Sequence, residues 1–318
     1  MSLWGLIEVA GLLLGFATVT GFLARWWWLF ELSSHFRLHL AFALGAIAAI
    51  WALKRRWRMA VICGVAAAVN TVLVLSLLWP AEKAGPQHGT RLRLASINVH
   101  TENERSDLVL EFLQSANADV ILLMEVNERW MKALEPLRTN YAQVISEPRE
   151  DNFGIALFSR LPMTNSEVIE LGQAEVPSIA VTIQVGGQKV FLLGTHPLPP
   201  GSAINARLRN EQFRAIATQT RRCGLPAIVL GDLNSTSWSP YFTDLLHDSG
   251  LKNTSQGRAL FGSWPAWLPF GRIPLDHCLA SPTIPVLSKQ LGSNVGSDHL
   301  PVVLDLLIET SDTGVSLR

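Results

Sequence analysis

The chain has 318 residues, 48% of them hydrophobic and 16% charged, with 26 basic residues balancing 26 acidic ones. That length supports a sizeable core and more than one unit. The three cysteines, Cys63, Cys223 and Cys278, exclude a disulfide framework; no spacing asks Cys223 and Cys278 to pair, and free thiols are expected.

The hydrophobic excess is local. Leu3 to Ala24 is apolar except for Glu8, His39 to Leu53 is apolar, and Met59 to Leu78 is apolar with one Asn. The first and third runs have roughly the twenty residues that a bilayer core needs. The second reaches that length if Phe36 and Leu38 join it. Seven of the 11 tryptophans precede Pro80 and cluster at the ends of these runs, as an interfacial belt does. Three transmembrane helices are expected over residues 1–80. Met1 to Gly5 carries no positive charge, which argues against a signal peptide. The turn after the second run holds Lys54, Arg55, Arg56 and Arg58, whereas the longer first loop holds only Arg25 and Arg37. The tetrabasic turn is therefore expected in the cytoplasm. The N-terminus follows it, and everything after Pro80 lies outside, in a multi-pass protein of the cell inner (plasma) membrane with a periplasmic or extracellular domain.

Residues 81–90 read as a linker, which spans only about 35 Å fully extended. From Ala81 onward, 20 basic residues face 24 acidic ones, so the outer part is mildly acidic. Residues 91–318 alternate strand and helix. Leu92 to Val99 is a strand, and Ser106 to Ser115 a helix that Ser106 caps. Val120 to Met124 is a strand and Glu128 to Leu137 a helix. Ile155 to Phe158, Ile179 to Gln184 and Val190 to Leu193 are strands, the last two joined through Gly186-Gly187 as a hairpin. Ala203 to Arg222 is a long helix, the strand ending at Leu230 follows, and a helix is expected over Tyr241 to His247. Two C-terminal strands complete the pattern.

Six of the apolar strands carry a polar side chain at one end. Asn98 ends the first and Glu125 the second. His196 follows Gly194-Thr195. Gly231-Asp232-Leu233-Asn234 closes Ala227 to Leu230. Asp276 and Ser297-Asp298-His299 precede the last two. Asp232 and Asn234 lie two apart, so an extended chain points both the same way. Alone, that motif is a strand followed by an Asx turn. Open α/β sheets place ligands at strand ends, and six such ends together point to one site.

This ordered set resembles the endonuclease/exonuclease/phosphatase superfamily, over roughly Arg91 to Ile308. The resemblance implies an α/β fold, the DNase I-like four-layer sandwich of two packed sheets flanked by helices. It implies hydrolysis of phosphate esters with a divalent cation, magnesium first and manganese second. Glu125 is then the metal-binding glutamate, with Asn98 on metal or phosphate and Asp298 completing the cation's shell. His299 is the general base, oriented by Asp276, which opens a neighbouring strand. Asp232 positions or deprotonates the attacking water, Asn234 holds the phosphate, and His196 donates to the phosphate or the leaving oxygen. The apurinic-endonuclease branch has a tyrosine in place of His196, whereas the sphingomyelinase, inositol-phosphatase and DNase I branches have histidine. Asn152, ahead of Phe153-Gly154, matches a further polar position near the phosphate. His277 reads as a structural strand histidine.

Two features bear on substrate. Phe261 to Phe270 is an aromatic, proline-rich loop holding Trp264 and Trp267, suited to packing or to a bilayer surface. No dense basic run is present, so electrostatic attraction for a polyanion is weak. Three helices ahead of such a domain also look like the teicoplanin-resistance membrane proteins of bacteria. That likeness implies a lipid-linked phosphate or pyrophosphate as substrate and the bilayer as partner. An extracytoplasmic endonuclease or exonuclease acting on nucleic acid is the alternative. A catalytically dead binding module would lack a ligand or a base, and none of the six positions is missing one.

Overall fold

A computed structural model describes residues 2–80 and 88–310. Most of the expected linker, residues 81–87, lies outside the described residues. The N-terminal part holds four helices: α1 (Leu3–Thr20), α2 (Trp28–Ser34), α3 (Arg37–Leu53) and α4 (Trp57–Leu78). Helices α1 and α4 are long and apolar enough to cross a membrane. Helix α3 meets α2 at a 69° bend, and the pair makes a third crossing only if it is one broken span. Three uninterrupted spans were expected, and α2 was not. The polar run Ser33-Ser34-His35 explains the break: the Ser34 hydroxyl donates to the Glu31 carbonyl at 2.7 Å, and the Phe36 backbone leaves helical geometry.

The helices are apolar on their outer faces too, with Leu13, Phe16, Phe42, Val65 and Val72 exposed, as suits a lipid solvent. Leu40, Leu44, Cys63 and Ala67 pack inside. Gly11 lets α1 approach closely, because a Cβ there would sit 3.0 Å from Cys63 Sγ. A buried polar tie links three of the helices. Arg37 donates to the Thr18 carbonyl at 3.0 Å and to Asn70 Oδ1 at 3.1 Å, and Asn70 donates to the Thr18 hydroxyl.

The remaining elements are β1 (Thr90–Asn98), α5 (Ser106–Ala116), β2 (Val120–Met124), α6 (Glu128–Ala133), β3 (Gln143–Glu147), β4 (Ile155–Ser159) and β5 (Met163–Glu170). They continue with β6 (Pro177–Val185), β7 (Gln188–Thr195), α7 (Ala203–Arg222), β8 (Ala227–Asp232), α8 (Pro240–Ser249), β9 (Lys252–Asn253), β10 (Asp276–Ala280), β11 (Val286–Leu291) and β12 (Val302–Ile308). They form two six-stranded sheets, ordered β11-β12-β1-β2-β4-β3 and β5-β6-β7-β8-β10-β9. The sheets pack face to face over Leu92, Leu122, Met124, Val181, Leu192, Leu230 and Leu304. Helices α5 and α6 cover one outer face through Val109, Leu113 and Trp130. Helices α7 and α8 cover the other through Phe213, Ile216 and Phe242. The result is the expected four-layer sandwich.

Local departures have local causes. Helix α5 lacks a side-chain cap, so Ser106 does not act as one. The helix expected over Glu128 to Leu137 splits into α6 and a 3-10 turn (Glu135–Thr139), because Pro136 offers no amide hydrogen. Strands β3, β5 and β11 were not foreseen; they are polar and lie at or near sheet edges. All three cysteines are free.

The helices dock on the sandwich through specific contacts. Helix α4 reaches it at its C-terminal end: the Gly257 amide donates to the Leu77 carbonyl at 2.9 Å, and Trp238 Nε1 donates to the Leu73 carbonyl at 3.1 Å. Helix α3 reaches it at its start, where His39 Nε2 lies 3.1 Å from the Phe270 carbonyl. Helix α2 reaches it through a fully buried ion pair, Glu31 with Arg209 of α7 at 2.6 Å. The turn holding Lys54 to Arg58 lies at the far end of α4, about 33 Å away at the helical rise per residue.

Candidate active site

Both sheets contribute to one cluster at the mouth of the sandwich. From the first come Asn98 at the end of β1, Glu125 directly after β2, and Asp298-His299 leading into β12. From the second come His196 after β7, Asp232 at the end of β8, and Asp276 at the start of β10. Asp276 and Asp232 are register partners across the β8–β10 ladder. The strands carrying Asp276 and His299 were expected to be neighbours. They belong to different sheets, and the two side chains meet across the sandwich.

The contacts centre on Asp232. His299 Nδ1 donates to Asp276 Oδ2 at 2.8 Å, which turns Nε2 toward Asp232 Oδ2 at 3.5 Å. His196 Nε2 and Asn98 Nδ2 also face Asp232 Oδ2, each at 3.5 Å. Three N–H donors thus converge on one buried carboxylate oxygen. Its other oxygen accepts from the Asn234 amide at 2.8 Å. Burial works to raise the Asp232 pKa, but the His299 charge and the His196 contact outweigh it and hold the carboxyl well below its usual range. Burial works to lower the His299 pKa, but Asp276 and Asp232 outweigh it and push it up to about 10. His196 is raised as well: Asp232 overcomes its burial. At neutral pH His299 therefore holds its proton and Asp232 is ionised. In this arrangement His299 Nε2 faces Asp232 as a donor.

Asn98 accepts from the His100 amide through Oδ1 at 3.1 Å, so its Nδ2 faces Glu125 at 2.8 Å and Asp232. It presents N–H rather than oxygen to the cluster, a geometry suited to orienting Glu125 or binding a phosphate oxygen. Asn234 Nδ2 donates to the Pro197 carbonyl at 3.0 Å. His100, Glu125, Asn152 and Asn234 all adopt positive φ. Such backbone is sparsely populated by non-glycine residues and concentrates at functional sites. Gly231 is required where β8 passes the end of β7, since a Cβ there would meet the Thr195 carbonyl oxygen at 1.9 Å.

A cavity of about 670 Å³ opens at this cluster, lined by Glu125, Asn152, His196, Asp232, Asn234, Asp298 and His299. Asn98 and Asp276 stand behind that lining. The cavity is also lined by Leu32, His35 and Phe36, from the corner between α2 and α3. Sequence reasoning missed these three, and it missed His100, whose Nδ1 lies 3.3 Å from Asp298 Oδ1. Position alone marks His100, two residues past the strand-end Asn98. Trp264 also belongs to the site: its Nε1 donates to Asp298 Oδ2 at 3.1 Å, and it lines the cavity. In the aromatic loop, Trp267 and Phe270 face outward, 71% and 96% exposed. His277 is structural, its Nε2 lying 2.9 Å from the Ser235 carbonyl.

Asp232, Asp276 and His299 place ligand atoms within 4.8 Å of one another, a carboxylate and histidine cluster of the kind that holds metals. Two of its contacts are already used in the Asp276–His299 hydrogen bond, so the cluster handles protons more readily than a cation. Glu125 and Asp298 fit a cation better. Both line the cavity, and among the described residues neither pairs with a lysine or arginine. Carboxylate oxygens with no lysine or arginine partner are the donor set of a hard divalent ion.

Buried carboxylates, two imidazoles and a hard-oxygen corner at the open end of a two-sheet sandwich define a phosphoester-hydrolase type of site. A profile of the Endonuclease/Exonuclease/phosphatase family matches residues 95–299, more than half of the chain. The chain belongs to that family, whose members are divalent-metal-dependent enzymes that hydrolyse phosphoesters. Solved structures share the fold. The human Nocturnin catalytic domain with bound sulfate anion is 23% identical, with a TM-score of 0.57, covering 68% of this chain and 94% of that one. D. rerio TDP2 complexed with single strand DNA product is 16% identical, with a TM-score of 0.57, covering 69% and 99%. An endonuclease/exonuclease/phosphatase from Beutenbergia cavernae DSM 12333 is 20% identical, with a TM-score of 0.56, covering 69% and 72%. A sequence comparison with curated proteins gives no match.

Proposed function

We propose that the protein is a membrane-anchored, divalent-metal-dependent phosphoesterase. It hydrolyses a phosphate ester or pyrophosphate on a lipid, with its site outside the cytoplasm. The observation that carries the chemistry is the convergence of Asn98, His196 and His299 on Asp232. At 3.5 Å these contacts are long, and catalytic hydrogen bonds commonly tighten only with substrate. Asp232 orients the attacking water and accepts its proton. His299, held by Asp276, and His196 donate to phosphoryl oxygens, where negative charge grows in the transition state. Asn98 adds a third donor and keeps Glu125 in place. Asn152 and Asn234 flank the phosphate. Glu125 and Asp298 would hold magnesium or manganese, which would withdraw charge from the phosphoryl oxygens.

The docking of the helices supports a lipid substrate and the orientation. The C-terminal end of α4 and the start of α3 contact the catalytic part, so the cavity faces the end of the anchor opposite Lys54 to Arg58. A cytoplasmic tetrabasic turn then leaves the cavity outside, beside lipid headgroups. Among the described residues no lysine or arginine lines the cavity, which offers little to a polyanionic strand. One observation favours a second reading, a nuclease: a relative of the same fold was solved with a single strand DNA product.

Two experiments test the proposal. A reporter active only outside the cytoplasm is expected to work when fused after Thr90 and to be silent when fused at Trp57; the reverse pattern overturns the orientation. Phosphorylated lipids are expected to be cleaved faster than DNA or RNA by the full chain at physiological salt. Faster cleavage of DNA than of every lipid assigns the protein to the nuclease reading.

A further inference from the structure

The cavity is walled in part by the anchor itself. Leu32 lies on α2, and His35 and Phe36 form the corner before α3. This corner is moored rather than draped. Glu31 is paired with Arg209, the Ser239 hydroxyl donates to Glu31 Oε1 at 2.7 Å, and Arg209 Nη1 faces the Asn234 carbonyl at 3.4 Å. The helix before the corner is thereby tied to the loop that carries Asn234.

Two observations give the corner a ligand. The first is composition. Leu32 and Phe36 join Leu198, Pro199 and Leu275 in the cavity lining, an apolar set beside the phosphoryl-binding groups. A volume of about 670 Å³ lies within the range of sites for whole organic ligands and exceeds what a phosphate needs. The second is His35. Its Nδ1 lies 3.0 Å from the Thr236 hydroxyl and faces the Thr236 amide hydrogen at 3.4 Å, so it accepts. The ring proton then sits on Nε2, which is buried and, among the described residues, has no partner. A buried donor without an acceptor is costly unless a ligand supplies one.

The corner also adjoins the start of α3. Phe36 packs edge-on against His39, ring centroids 5.7 Å apart, and His39 contacts the outward-facing Phe270 segment. A chain of contacts therefore runs from the Phe270 segment through His39 to Phe36 and the cavity.

Resting on the phosphoesterase reading above, we propose that the α2–α3 corner is the tail-side wall of the substrate site. Leu32 and Phe36 pack on the first apolar carbons of a phosphorylated lipid. His35 Nε2–H donates to an oxygen between that tail and the scissile phosphoryl group. The anchor is thus a specificity element as well as a tether.

The test uses the full chain in mixed micelles. Its probes are phosphatidic acid, phosphatidylglycerol and farnesyl pyrophosphate, with bis-para-nitrophenyl phosphate as the soluble comparison. Phe36→Asp, Phe36→Ala and His35→Leu are expected to raise KM for the preferred lipid by about tenfold or more, and to change kcat far less. The lipid-to-soluble ratio of kcat/KM falls by a similar factor. His35→Gln, which keeps an N–H donor, restores most of it. If wild type prefers a lipid but the variants lose both substrates equally, or lose neither, the inference fails and the phosphoesterase reading stands. If wild type prefers DNA to every lipid, that reading fails and the inference falls with it.

Discussion

Replacing Glu31 with alanine leaves the Arg209 guanidinium buried beside an empty space. Both side chains are 0% exposed, and the guanidinium meets the two carboxylate oxygens at 2.7 and 2.6 Å. Truncating one partner of a buried pair costs about 3–5 kcal/mol, because the surviving charge stays desolvated. Here Arg209 keeps Asn210 Oδ1 at 2.8 Å and the Phe213 ring at 5.1 Å, which puts the loss near the lower end. The Ser239 hydroxyl loses its acceptor as well, adding about 1 kcal/mol. The internal control is Arg25 with Asp244, a pair of similar geometry whose side chains are 54% and 44% exposed. Exposed pairs contribute about 1 kcal/mol or less, so Arg25→Ala is expected to cost little. Denaturant unfolding of the detergent-solubilised chain, followed by tryptophan fluorescence, compares the two variants. Combining Glu31→Leu with Arg209→Met should recover most of the loss, since no charge is then stranded. If Glu31→Ala unfolds no earlier than Arg25→Ala, the buried pair does not hold the anchor to the catalytic part.

Other consequences are equally direct. Asp305, 6% exposed at its side chain, accepts from Arg91, Arg93 and Ser288, so Asp305→Asn should cost about 1–3 kcal/mol. Burial works to raise the Asp305 pKa, but the two arginines and Ser288 outweigh it and hold the carboxylate well below the usual carboxylate range. Its contribution is therefore present above the ordinary carboxylate range and is lost as pH falls through the depressed pKa. The stability gap between wild type and Asp305→Asn should accordingly narrow in strong acid, and a gap constant with pH would contradict this. Trp264→Phe removes the indole donor to Asp298, and should raise the metal concentration for half-maximal activity by about tenfold. An unchanged metal titration would separate Trp264 from the cation. Glu125→Ala and Asp232→Ala should each lower kcat by about a hundredfold or more. Normal turnover in either would remove that residue from the mechanism.

The site was legible because its strands are buried on both faces. Such strands read as unbroken apolar runs, and Asn98, Glu125, Asp232 and Asp276 stand out at their ends. What joins two such ends was not legible. Which sheet a strand enters is a long-range choice, so Asp276 and His299 were placed on neighbours instead of across the sandwich. Strand β5 escaped because nearly all its side chains are at least partly exposed and carry no buried-strand pattern. Helix α2 escaped because seven residues between two apolar runs read as a loop. With it went the anchor's share of the cavity, since nothing local to Leu32 or Phe36 says that a wall of the site forms there. Trp264 read as part of a loop suited to packing or to a bilayer surface; only the fold brings its indole to Asp298.

The central claim is that a divalent cation and Asp232 hydrolyse a phosphoester in the cavity between the two sheets. The most direct measurement is turnover of a phosphorylated lipid by the purified full chain, stripped with a chelator and then titrated with magnesium. Wild type should be inactive when stripped and regain activity with the ion. Asp232→Asn, which preserves shape but gives up the proton acceptor, should stay inactive at every magnesium concentration. Hydrolysis that survives chelation, or an active Asp232→Asn protein, would contradict the account.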